Sequence, residues 1–143
     1  MMEEKIPYHV KVYVEGELRI YRMLLAKLDQ LKKDQEDIYQ RHSQPKGEPV
    51  KGSHPGDPTA TAALLLERNS EKIEEIEKRI KRIESGLWAC ADRQRELIEI
   101  KYFSAAEPSD EEVMDYMRIG NRNNYYKIKF GGLAKIARKM QIF

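Results

Sequence analysis

The chain has a single cysteine, Cys90, among 143 residues, so no disulfide can close within it and a reducing compartment is its natural setting. Aromatic residues make up only 8%, few for a large globular core, whereas 35% of residues are charged, which suits long solvated helices. No apolar run approaches the roughly 18 residues that cross a bilayer, so no membrane span is expected. The opening MMEEKIPYHV lacks a signal-peptide hydrophobic region, and the expected location is cytoplasmic. His9, His42 and His54 are scattered, and none stands at metal-ligand spacing from Cys90. There is no glycine-rich phosphate loop and no nucleophile elbow. Glu71, Glu74, Glu75 and Glu77 fall on an exposed helix face. These absences argue against an enzyme and imply no cofactor and no metal.

One further absence is local. From Tyr116 to Phe143 there are seven Lys or Arg and no Asp or Glu, while the preceding residues are acidic on balance. Such asymmetry points to a negatively charged partner at one end of the chain.

Proline and glycine are concentrated in SQPKGEPVKGSHPGDPT, which holds four of the six prolines and three of the eight glycines. No regular element survives that density, so a flexible linker is expected at 43–58. Before it, Val10, Val14, Leu18, Tyr21, Leu25 and Leu28 recur at helical steps, continued by Leu31 and Ile38. Gly16 costs that helix about 1 kcal/mol relative to Ala. Residues 6–14 also alternate at period two, which is compatible with a short strand, but the helical stripe runs far past Gly16 and favours a helix. After the linker, Asp57 can cap a second helix with Pro58 at its first position. Ile73, Ile76, Ile80, Ile83 and Leu87 then step three and four, a coiled-coil seam. The expected fold is all-α, with residues 1–91 forming a long antiparallel, coiled-coil-like hairpin that self-associates.

The remainder, 92–143, reads as shorter helices. DRQRELIEIKYF places Leu97, Ile98, Ile100 and Phe103 inward. Ser109 and Glu112 make a capping box, Val113, Tyr116 and Met117 form an apolar side, and the helix stops near Gly120. Asn121 is a second good N-cap, so helix, glycine-containing turn and capped helix follow each other as in a helix-turn-helix. In the last helix Tyr125, Ile128 and Ile136 turn inward, while Arg122, Tyr126 and Phe130 turn outward, flanked by Asn123 and Lys127. Asn and Arg in the first turn of a recognition helix can read adenine and guanine edges in the major groove. Lys127, Lys129, Lys135, Arg138 and Lys139 can neutralise phosphates. Gly131–Gly132 either breaks this helix, with a new one starting near Leu133, or permits a close approach.

DRQRELIEIKYF, SDEEVMDYM and NRNNYYKIKFGGLAKIA, in that order, resemble region 4 of bacterial sigma factors. The chain as a whole, including GDPTA at 56–60 and the paired Tyr125–Tyr126, resembles phage late transcription regulators of the RinA/ArpU type. The resemblance implies a sequence-specific DNA-binding regulator in the bacterial cytoplasm, an activator of phage late genes for packaging, structure or lysis. Its partners would be double-stranded DNA, RNA polymerase and further copies of itself. Arg122, Asn123, Asn124, Tyr126 and Lys127 would face DNA. Two other readings fit the same pattern: a small terminase-like DNA-packaging recognition subunit, or a coiled-coil adaptor that binds no DNA.

Overall fold

The computed structural model describes residues 5–43 and 58–143, and every regular element among them is an α-helix. In chain order these are α1 (Tyr8–Ser43), α2 (Pro58–Ala89), α3 (Asp92–Phe103), α4 (Asp110–Met117) and α5 (Arg122–Lys139). The linker expected at 43–58 and the Asp57 cap lie outside the described residues, apart from the last residue of α1 and the first of α2. Pro58 does open α2, where its missing N–H costs nothing. The chain divides into two compact units, one of Leu24–Lys78 and one joining Met1–Met23 to Arg79–Phe143.

In the unit Leu24–Lys78, α1 and α2 pack in a hairpin-like pair. Gln35 Nε2 donates to Ser70 Oγ at 3.1 Å, and Lys32 pairs with Glu77 at 3.5 Å. Leu24, Ala62 and Ile76 are buried, but Leu28, Leu31, Ile38, Leu66 and Ile73 are only half-buried. Two helices alone cover each other along one line and leave the flanks of the seam open. Leu25, expected on the seam, is exposed, and Leu24 takes its place. Leu24 preserves the alternation of three and four through Tyr21, Leu28, Leu31, Gln35 and Ile38, which keeps a heptad seam aligned.

In the other unit, Val10, Val14 and Leu18 of α1 are buried in the same core as Ile80, Ile83 and Leu87 of α2. Ile98 and Tyr102 of α3 and Leu133, Ile136 and Ala137 of α5 are buried in the same unit. From Tyr8 onward the opening stretch is therefore helix, not strand. Spacing by four puts Val10, Val14 and Leu18 on one buried side, while Tyr8 and Val12 are exposed. Tyr102 Oη donates to the buried Glu15 carboxylate at 2.7 Å, and Tyr21 stacks on Phe103 at 4.7 Å. Arg79 binds Glu17 at 2.6 Å. The C-terminal helices thus share their core with the ends of the two long helices.

The glycine pair does not break α5, which runs unbroken through it. A Cβ on Gly132 would stand 2.8 Å from Ile98 Cδ1, and one on Gly131 would stand 2.8 Å from Gln94 Nε2. At Gly131 the neighbour is only the end of the Gln94 side chain, whereas close approach of α3 is the reason for Gly132. Gly86 does the same for α2: its added Cβ would meet Ile136 Cγ2 at 2.8 Å and Ile136 Cα at 3.1 Å. Gly16, by contrast, has open space around it.

Two substitutions separate helix propensity from packing. Gly16→Ala should raise stability by about 1 kcal/mol, because only the propensity changes. Gly86→Ala should lower it by about 1–3 kcal/mol, because the new methyl presses on backbone. Urea unfolding of the whole chain measures both, and a gain at Gly86 would mean that α2 and α5 are farther apart than described.

Candidate nucleic-acid interface

The segment that carries the basic charge begins with α4. Ser109 accepts the Glu112 N–H at 3.2 Å and its hydroxyl donates to the Glu112 carboxylate at 3.3 Å. Asp110, Glu111 and Glu112 complement the positive end of the helix dipole. Val113 and Met117 are buried one turn apart, and Tyr116 is 73% exposed instead of joining them. A two-turn helix buries one narrow stripe, and Tyr116 falls beside it. The helix ends at Met117, earlier than Gly120, because Arg118 adopts a left-handed conformation with φ 56°. Its N–H donates to Asp115 O, and Ile119 N–H donates to Met114 O at 2.9 Å. Arg93 Nη2 donates to Met117 O at 2.6 Å, which ties the end of α4 to α3. Asn121 then caps α5 by accepting the Asn123 N–H at 2.8 Å.

One carboxylate joins the three helices. Asp110 accepts from Tyr125 Oη at 2.6 Å, from Lys129 Nζ at 3.2 Å, and faces Lys101 Nζ at 3.4 Å. Burial works to raise the Asp110 carboxyl, but the Tyr125 hydroxyl and the ammonium groups of Lys129 and Lys101 outweigh it and hold it below its ordinary value. Tyr125 is fully buried, and its hydroxyl is pushed up by burial and by the bond to Asp110. It packs with Leu97, Val113 and Met117 in a cluster that Ile119 and Ile128 border.

Lys129, expected to reach phosphate, is a correction. It is 5% exposed and its ammonium rests on Asp110, inside the unit. The outward face is also corrected. Arg122 is exposed, but Tyr126 and Phe130 are half-buried and stacked on each other at 5.5 Å. Lys11 of α1 lies over the Phe130 ring at 5.1 Å, and Lys129 lies at 5.7 Å. The open side of α5 is instead Asn124, Lys127, Gly131, Lys135 and Arg138, which recur at steps of three and four. Asn124, Lys127 and Arg138 are exposed, and Gly131 and Lys135 half-buried. Asn123 and Lys139 are exposed beside this stripe.

Arg122 pairs with Glu111 at 3.1 Å, both side chains well exposed. Such pairs contribute at most about 1 kcal/mol, so a phosphate can compete for the guanidinium. No acid occurs within α5, and its N-terminal turn presents Arg122, Asn123 and Asn124 to solvent at the positive end of the helix dipole. No local pattern in the sequence marks Asp110, Lys101 or Lys11. Tyr125 and Lys129 stand four apart and share one face of α5, so both reach Asp110.

Cys90 is buried, and its thiol donates to Gly86 O at 3.4 Å and Gly132 O at 3.5 Å. Burial pushes the thiol up, against the pull of Lys135 and Arg95. No helix among the described residues is long and apolar enough to cross a membrane. Comparison with family models, with curated proteins and with solved structures gives no match to this chain.

Asp110→Asn should lower stability by about 2–3 kcal/mol at about pH 7, because Lys129 keeps a buried charge without its counter-ion. The sign of the pH dependence follows from the lowered carboxyl. Its contribution is complete above the ordinary value of 3.8 and is lost as pH falls through the lower folded value. The gap between Asp110→Asn and the unsubstituted chain should therefore narrow below that pH in urea titrations. A gap that stays constant into acid would remove the charge from the account.

Proposed function

We propose that α4, the turn at residues 118–121 and α5 form a DNA-binding helix-turn-helix, with α5 as the recognition helix. The observation that carries this reading is the acid-free open side of α5. Arg122, Asn123 and Asn124 stand at its capped start, and Lys127, Lys135, Arg138 and Lys139 follow along it. Side-chain amides and a guanidinium at the N-terminal turn suit base edges in the major groove. The lysines and Arg138 suit the phosphates, with counterion release supplying much of the affinity. Tyr126 and Lys129 leave the contact set, because one is half-buried in a stack and the other is interior.

On this reading the chain is a sequence-specific transcriptional regulator, an activator of phage late genes that acts through contact with RNA polymerase. The promoter and polymerase parts come from the resemblance to sigma region 4. The long helices would supply self-association.

Two variants divide base reading from phosphate binding. Asn124→Ala should cost about 1–3 kcal/mol on a cognate site and little on random duplex. Lys127→Ala with Lys139→Ala should weaken binding to every sequence and reduce the salt slope by about 2. Titration of labelled duplexes across salt concentrations measures both. No binding to any duplex at low salt would end the proposal. Footprinting then places the site: protection upstream of late genes fits regulation, and protection within a packaging start region makes the chain a packaging subunit.

A further inference from the structure

Within Leu24–Lys78, the hairpin-like pair leaves a groove of about 480 Å³ along one flank of its seam. Leu66 and Ile73 line it from α2, and Lys32, Gln35, Glu36 and Tyr39 line it from α1. Its apolar residues are half-buried, and Tyr39 at its edge is 65% exposed. Two features of that edge specify an occupant. Lys32 and Glu36 carry opposite charges one helical turn apart. Lys32 meets Glu77 only at a well-exposed 3.5 Å, and Glu36 accepts from Gln40 Nε2 at 3.3 Å, so neither charge is buried in its present contact.

We infer that a second copy of this chain fills the groove, related by a two-fold axis that passes between the two α1 helices, level with the midpoint of Lys32 and Glu36. Such an axis sets the two α1 helices side by side and antiparallel. Lys32 of each copy then meets Glu36 of the other, and two ion pairs form from one self-complementary pattern. The same operation sets Tyr39 of each copy against the half-buried Leu28 of the other. Four helices enclose what two leave open, and the seam becomes the interior of a bundle. A plus and a minus one turn apart on a groove edge match their own reversed image, so a second copy is complementary to the groove without any further partner. The inference stands apart from the DNA reading, and its test contains no DNA.

The experiment is light scattering and sedimentation equilibrium on the full chain and two variants. The unsubstituted chain should be dimeric at roughly 100 μM, as expected for a micromolar dissociation constant. Lys32→Glu places two acids on each edge, and Glu36→Lys places two bases, so each variant alone should dimerise about tenfold more weakly. An equimolar mixture of the two should recover the affinity. Mixing leaves every intrachain contact of each variant as it was, so recovery reports the contact between copies. Tyr39→Arg should also weaken the dimer while circular dichroism shows unchanged helix content. A monomeric unsubstituted chain, a dimer indifferent to both charge changes, or a mixture no tighter than its parts would each overturn the inference.

Discussion

The carboxylate of Asp110 is the constraint on which the C-terminal helices depend. It stands at the start of α4 and gathers Lys101 from α3 and both Tyr125 and Lys129 from α5. A buried ion pair returns little net stability against an apolar substitute, yet removal of one member strands the other. The pair therefore acts on geometry. If α5 turned about its axis, the Lys129 ammonium would sit in the interior without a counter-ion. Holding Tyr125 and Lys129 toward Asp110 leaves Asn124, Lys127 and Arg138 on the roughly opposite side of the helix, in solvent.

Close packing adds a second restraint on the same helix. Gly132 admits α3, and Gly86 admits α5 to α2. Each glycine inside a helix costs about 1 kcal/mol. Burial of a Leu or Ile side chain contributes about 1.5–3 kcal/mol, and both Leu133 and Ile136 are fully buried beside the pair. The packing term is the larger, so the glycines are tolerated. One result is that α5 is covered on most of its circumference, and its open stripe is narrow.

Local signals were legible in the sequence, and signals that depend on distant residues were not. The steps of three and four along α2 and the caps at Ser109 and Asn121 are written within a few neighbouring residues, and they read correctly. The end of α4 misled because glycine is the usual left-handed residue, and here Arg118 takes that role two residues before Gly120. Lys129 was read as solvated because lysine usually is, and only Asp110, 19 residues away, explains its burial. The Tyr126–Phe130 stack was read as an outer face because nothing nearby reveals Lys11 above it. The glycine pair was undecidable without α3 in place.

That second unit is discontinuous, joining Met1–Met23 to Arg79–Phe143. On the ribosome, the opening turns of α1 emerge first, with Val10, Val14 and Leu18 lacking any partner from the later helices. The bond between Glu15 and Tyr102 spans 87 residues of chain. At elongation speeds of roughly 5–20 residues per second that interval lasts on the order of ten seconds. Throughout it Val10, Val14 and Leu18 lack their later partners, and the unit can close only after α5 has cleared the exit tunnel.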